Sequence, residues 1–191
     1  MDRLVLISGC SGGGKSTLLE ALAALGHEVV PEPGRRVIAA FHAGQAGALP
    51  WNDLGAFARH ALALARSDRA AALARPGLVF FDRGTIDAAA ALEQAEGVPL
   101  RDSLGPERHY HRRVFLTPPW PEIYVRDAER RHDLAAAEEE YERLRTILPA
   151  LGYEAVILPR TDVGARIRFV LDTLADGRSA IGRSARGSGR R

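Results

Sequence analysis

The sequence predicts an α/β fold in which a parallel β-sheet lies between two layers of helices. Short apolar segments alternate with longer amphipathic segments along the 191 residues, and this alternation is typical of repeated βαβ units. The segments at 3–8 and 78–81 have the continuous apolar character of strands that are buried on both faces. A glycine-rich loop follows the first strand, at the sheet edge where such folds bind ligands.

The first half of the chain provides three strands and four helices. Leucines at helical spacing from Leu18 onward define the first helix, which ends at Gly26. Pro33 turns the chain after the second strand, and Pro76 ends a long helix that carries an apolar stripe. The predicted strands are 3–8, 27–31 and 78–81, and the predicted helices are 16–25, 35–42, 53–75 and 85–94.

The second half adds two strands and two long helices, which completes a five-stranded sheet. Residues 98–108 are expected to be irregular or to form a short helix, and a stiff proline-rich segment at 118–121 follows the fourth strand. Apolar residues three or four positions apart mark one face of each long helix. The predicted strands are 113–116 and 153–158, and the predicted helices are 126–148 and 161–174.

Composition indicates one folded domain, residues 1–176, followed by a basic tail. Residues 177–191 contain five arginines, four glycines and no acid, which predicts a disordered end that either stays solvated or contacts nucleic acid or lipid. A single cysteine excludes an internal disulfide and favours the cytoplasm. No run of 18 apolar residues and no signal peptide are visible, so no membrane span is expected.

The most specific motif is the segment at 9–16, which reads GCSGGGKS and matches the phosphate-binding loop G-x-x-x-x-G-K-[ST]. Lys15 is the only lysine among 26 basic residues. A compact ammonium can reach between phosphate oxygens where a planar guanidinium would be too bulky. The sequence therefore predicts binding of a nucleoside triphosphate. No base-reading motif is visible, so ATP and GTP remain alternatives.

The loop also predicts which groups contact the nucleotide. Backbone amides should hold the phosphates at the N-terminus of the first helix, and Lys15 should contact the β- and γ-phosphates. The Ser16 hydroxyl and the Asp82 carboxylate are the candidate ligands of Mg²⁺, and Asp82 could also cap the following helix, which is compatible with metal binding. The predicted nucleotide-binding residues are Gly9, Ser11, Gly12, Gly13, Gly14, Lys15, Ser16 and Thr17.

Further candidates for catalysis follow the other strands. Gly9, Glu32, Asp82 and Thr117 come directly after strand ends and should meet at one edge of the sheet. Glu32, between two prolines, could accept a proton from a substrate hydroxyl, although a surface turn is the alternative. Arg83 could contact substrate or phosphate, or form a structural ion pair.

Arg126 and Arg130 are the candidate lid residues. They share one helix face, where like charges repel unless an anion lies between them. A lid that closes over ATP would place these guanidinium groups on the transferred phosphoryl. A solvated helix face is the alternative.

On these motifs the chain resembles the small P-loop kinases, which include deoxynucleoside, thymidylate and nicotinamide riboside kinases. More closely, it is similar to the bacterial "AAA-type predicted ATPase" family. The resemblance covers residues 1 to 175 and is carried by GCSGGGKST at 9–17, PEP at 31–33, FDRG at 81–84 and PPW at 118–120.

The resemblance implies a three-layer α/β/α P-loop NTPase fold with a helical lid at 119–135, and ATP with Mg²⁺ as cofactors. It also implies that Glu32 is the base and that the Asp82–Arg83 pair lies near substrate and metal. Arg126 and Arg130 match the lid arginines loosely. Gly84 stands where those kinases carry Ser or Tyr, so a contact to the substrate sugar is in doubt.

Two functions compete at this level. The first is a kinase that transfers the γ-phosphoryl of ATP to a hydroxyl of a nucleoside-like or other small acceptor, because two acids and a lid accompany the phosphate loop. The second is an NTP-dependent switch or ATPase whose nucleotide state controls binding of a partner, nucleic acid or lipid. The basic tail motivates the second function.

Overall fold

The computed structural model describes residues 1–45, 47–123 and 134–184. Its centre is a five-stranded sheet in which every neighbouring pair of strands is parallel. The strands are β1 (Leu4–Gly9), β2 (Glu28–Val30), β3 (Val79–Asp82), β4 (Arg113–Thr117) and β5 (Glu154–Ile157). Their spatial order is β2-β3-β1-β4-β5. The predicted five-stranded parallel sheet is therefore confirmed.

Seven α-helices are found within the described residues. They are α1 (Lys15–Ala24), α2 (Pro33–His42), α3 (Leu54–Leu73), α4 (Thr85–Glu96), α5 (Leu100–Leu104), α6 (Leu134–Ala150) and α7 (Val163–Ser184). The short α5 lies in the segment expected to be irregular or helical. The predicted helix 126–148 is represented by α6, and its residues 126–133 lie outside the described residues.

The last helix is longer than the sequence pattern predicts. It continues to Ser184 and so includes the first eight residues of the segment assigned to the basic tail. Extending an existing helix adds one hydrogen bond per residue fixed and needs no new nucleus. Residues 185–191 lie outside the described part of the chain.

The two faces of the sheet are covered by different helices. Leu6, Phe81 and Leu116 pack with helices α3, α4 and α6 on one face. Ile7 and Phe80 pack with α1 and α7 on the other face. Successive strand residues point to opposite faces, so both sets are apolar only because both faces are covered. Among the described helices, none is both long enough and apolar enough to cross a bilayer.

The topology places the predicted site residues at one sheet edge. Because β3 and β4 both pair with the central strand β1, Asp82 lies beside Ile7 and Thr117 lies beside Gly9. Glu32 follows the end of β2 by two residues and occupies the N-cap position of α2. The carboxyl ends of four neighbouring strands therefore surround the phosphate-binding loop.

Candidate functional site

A single cleft of about 740 Å³ runs from the phosphate-binding loop to the helices on the far side of the sheet edge. One end is lined by the loop and by the N-terminal part of α7. The other end is lined by residues of α2, α3, α4 and α6, with Glu32 and Arg83 between the two ends. Its size is typical of small-molecule sites and leaves room for a second substrate beside a nucleotide.

The loop has the backbone geometry of an anion-binding nest. Gly12 and Gly14 adopt left-handed conformations with φ of 83° and 72°, which allow successive amides to point toward one centre. At Gly13 a Cβ atom would lie 2.7 Å from Cβ of Thr117, so a side chain there would collide with β4. The free amides at the start of α1 add a partial positive charge to this nest.

Lys15 and Asp82 form a buried ion pair beside the loop. The distance between Lys15 Nζ and an Asp82 carboxylate oxygen is 3.0 Å, and the two side chains are only 8% and 12% exposed. Each charge stabilises the other, because a buried charge without a partner would lower the stability of the folded protein by several kcal/mol. A bound triphosphate would offer Lys15 alternative oxygens and would release Asp82 for other contacts.

Arg83 forms the centre of a network that joins three elements. Its guanidinium makes a two-pronged ion pair with Glu140 of α6. Its Nε lies 3.5 Å from an oxygen of Glu32, and Nη2 donates to the Gly9 carbonyl at 3.2 Å. Arg35 donates to the other Glu32 oxygen at 3.1 Å. Arg83 thus links the loop, Glu32 and α6.

This network keeps Glu32 ionised. Burial alone would raise the pKa of its carboxyl, but the charges of Arg83, Lys15 and Arg35 outweigh that effect and lower the pKa below its usual range. Because the folded-state pKa is lowered, these interactions stabilise the protein at neutral pH. Their contribution is lost as the pH falls through that lowered pKa.

Two acids of the site escaped the sequence interpretation. Glu140 lies on the buried stripe of α6, three residues after Ala137 and four before Leu144. An acid on an otherwise apolar helix face indicates a buried cationic partner, and this pattern could have identified Glu140. Asp87 of α4 is partly buried and accepts hydrogen bonds from the Ser8 hydroxyl and, at 2.8 Å, from the Gly84 amide. Burial raises the pKa of Asp87.

A third missed residue, Arg166 of α7, lies against the phosphate-binding loop and lines the cleft. It is only 3% exposed and donates to the carbonyls of Gly13 and Gly14. No sequence motif points to it, although an arginine on the inward face of an amphipathic helix is unusual. Of the predicted site residues, Arg126 and Arg130 lie outside the described residues.

Gly84 differs from the Ser or Tyr of the kinases that the chain resembles, and packing explains the difference. A Cβ atom at this position would lie 2.9 Å from Tyr110 Cζ and closer still to its hydroxyl oxygen. That buried hydroxyl accepts a hydrogen bond from the Thr85 amide at 3.0 Å. Tyr110 therefore occupies the space that a side chain at residue 84 would need.

We expect Gly84→Ser to destabilise the protein by about 1–3 kcal/mol, because overpacking forces the core to shift. The loss should be smaller in a Tyr110→Phe background, where the obstructing oxygen is absent. Urea unfolding of the wild type, both single variants and the double variant measures this coupling. An equal cost of Gly84→Ser in both backgrounds would contradict the explanation.

Three solved structures with a similar fold are two kinases and one protein in complex with nucleotides. Deoxyadenosine kinase from M. mycoides with bound dATP is 15% identical, with a TM-score of 0.61 over 91% of this chain and 99% of that one. Thymidylate kinase from Ehrlichia chaffeensis is 16% identical, with a TM-score of 0.56 over 91% and 98%. NadR protein in complex with NAD and AMP-PNP is 20% identical, with a TM-score of 0.60 over 91% of this chain and 49% of NadR.

These similarities show the fold, which is that of P-loop kinases with a three-layer arrangement. The search of curated proteins found no match to the chain. A family profile described as "AAA domain" matches residues 4–166, which is most of the chain. The predicted resemblance to small P-loop kinases and AAA-type ATPases is confirmed by these findings. The chain belongs to the AAA domain family.

Proposed function

We propose that the protein is a small-molecule kinase that transfers the γ-phosphoryl group of ATP to a hydroxyl of a nucleoside-like or other small acceptor. The observation that carries this proposal is the position of Glu32. Its ionised carboxylate lines the same cleft as Lys15 and the phosphate-binding loop, and it lies next to Arg83, which contacts the loop at Gly9. A protein that only hydrolysed ATP would need no cleft space beyond that of the nucleotide.

The nucleotide would occupy the loop end of the cleft. Amides from Gly12 to Ser16 would hold the phosphates, and the Lys15 ammonium would move from Asp82 to the β- and γ-phosphate oxygens. This exchange replaces one buried partner of Lys15 by another and leaves no buried cation unpaired. The energy of phosphate binding therefore depends on both members of the pair.

The donors present fit a Mg²⁺ ion that arrives with ATP. Ser16 lines the cleft next to Lys15, and Asp82 contacts Lys15. The described residues contain no group of three acids or histidines that would enclose an ion by itself. Mg²⁺ typically keeps several waters and takes only one or two carboxylates besides phosphate oxygens. Bound there, it would neutralise charge that develops on the phosphates.

The acceptor hydroxyl would lie beside Glu32. As its oxygen bonds to the γ-phosphorus, the bond to ADP breaks and the hydroxyl proton passes to the Glu32 carboxylate. A lowered pKa is compatible with this role, because phosphoryl transfer passes through a loose transition state in which charge placement matters more than base strength. Arg35 donates a hydrogen bond to one carboxylate oxygen of Glu32, and Arg83 Nε lies 3.5 Å from the other.

The far end of the cleft favours an acceptor with a flat apolar part. Trp51 and Phe57 line this end together with small alanine side chains of α3 and α4. The Gln94 amide accepts a hydrogen bond from Arg143 and leaves its NH₂ group as a donor. Aromatic walls with one polar edge suit a nucleobase or a similar ring. This supports a nucleoside-like acceptor.

The test is a panel of nucleosides and other small metabolites with hydroxyl groups, incubated with Mg-ATP and Mg-GTP. We expect one or more acceptors to be converted to a phosphate ester, with one ADP or GDP formed per ester. Mass spectrometry of the product and a coupled nucleoside diphosphate assay measure both quantities. Tight ATP binding with hydrolysis that no acceptor accelerates would contradict the proposal and favour a plain ATPase or switch.

A further inference from the structure

Arg166 is a buried cation that pairs with backbone rather than with an acid. It lies on α7 at 3% exposure, and no carboxylate among the described residues forms an ion pair with it. Nη1 and Nη2 donate to the carbonyls of Gly14 and Gly13, both at 3.1 Å, while Nε has no hydrogen-bond partner. The guanidinium carbon lies 5.7 Å from the ring centre of Trp120.

These two hydrogen bonds determine which way the loop amides point. In a trans peptide the carbonyl and the following amide point in opposite directions. The Gly13 and Gly14 carbonyls face Arg166, so the amides of Gly14 and Lys15 face away from it. Both residues line the cleft, and their amides are among those that would hold phosphate.

The packing leaves the guanidinium little freedom to move. A Cβ atom on Gly14 would lie 2.7 Å from Arg166 Nη1, so loop and guanidinium are in close contact. Trp120 lies against the same side chain. The contact therefore fixes the peptide planes of the loop before any ligand arrives.

The unneutralised charge has a cost in the free protein. Burial without a compensating acid lowers the pKa of Arg166, which means that its charged form is less favourable than in water. A polyanion bound in the same cleft would offset this cost by its opposite charge. The arrangement is consistent with a residue that serves ligand binding at the expense of stability.

We propose that Arg166 is a positioning residue that orients the phosphate-binding loop and supplies a second positive charge, besides that of Lys15, to the triphosphate. This inference depends on triphosphate binding as stated in the proposed function, and it is independent of the acceptor. It predicts an effect on every ligand that carries a phosphate chain, whatever base is attached.

The experiment uses the full chain and titration calorimetry with Mg-ATP and with inorganic tripolyphosphate. Arg166→Met keeps side-chain length without the charge, and we expect it to weaken binding of both ligands by about tenfold to hundredfold. Arg166→Lys keeps the charge but cannot span two carbonyls, so its affinities should lie between those of the wild type and Arg166→Met. Arg168→Met, an exposed arginine on the same helix, is the matched control and should bind like the wild type.

The melting temperature of the ligand-free protein separates positioning from ordinary structural support. We expect Arg166→Met to melt at or above the wild-type temperature, since a costly buried charge is removed. A lowered ligand-free melting temperature, or wild-type affinity of Arg166→Met for both ligands, would overturn the inference alone. Absence of binding to the wild-type protein would overturn the proposed function and this inference together.

Discussion

Replacing Lys15 with methionine is expected to reduce Mg-ATP affinity at least about a hundredfold and to destabilise the ligand-free protein by about 3–5 kcal/mol. The first effect follows from loss of the ammonium in the loop. The second follows because Asp82, which is 12% exposed, would lose its ion-pair partner at 3.0 Å. Calorimetry with Mg-ATP measures the affinity, and urea unfolding measures the stability.

The double variant Lys15→Met with Asp82→Asn separates these two effects. Removing both charges takes away the buried, unpaired carboxylate, so most of the lost stability should return. ATP binding should remain lost, because the amide cannot replace an ammonium among phosphates. If Lys15→Met bound Mg-ATP as tightly as the wild type, the assignment of the loop as the nucleotide site would be wrong.

Glu32→Gln is expected to lower the rate of phosphoryl transfer by about 10²–10⁴-fold, the usual contribution of a positioned general base. Affinity for Mg-ATP should change little, since the substitution removes no contact to the phosphate-binding loop. The measurement is kcat with an acceptor from the panel, together with calorimetry for ATP. A loss in kcat without a loss of ATP binding identifies a group that acts in the transition state.

Glu28→Gln is the matched control for this variant. Glu28 is the first residue of β2, the strand that precedes Glu32. It forms a half-exposed ion pair with Arg75, away from the cleft. We expect it to retain wild-type kcat and affinity. Full activity of Glu32→Gln would refute the base assignment and transfer that role to Asp82 or to the substrate itself.

Much of the fold was predictable because it depends on local patterns. The strand, glycine loop and helix around Lys15 are adjacent in sequence, so the spacing of a few residues is sufficient to identify them. The apolar segments gave the other strands to within about two residues, which is the usual uncertainty of element ends. Parallel pairing followed from the alternation of strands with helices.

The environment of each site residue was less predictable. The sequence indicated Arg83 as a contact to substrate or as an ion-pair member, but its partner Glu140 lies 57 positions later in the chain. The sequence shows Gly84 where the kinases that the chain resembles carry Ser or Tyr, but it does not show that Tyr110 fills the space beside this residue. Contacts of this kind depend on helix packing angles, which single-sequence patterns do not encode.

The sequence by itself determined the motif and the architecture: a G-x-x-x-x-G-K-S loop with one lysine, two acids at strand ends, and a parallel sheet that brings them to one edge. Only the tertiary structure decided how those charges are balanced: Lys15 pairs with Asp82, Arg83 pairs with both Glu32 and Glu140, and Arg166 donates to the loop carbonyls. The physical reason is the distance along the chain over which each property is set. Backbone geometry follows from neighbours in sequence, whereas the energy of a buried charge depends on every group packed around it.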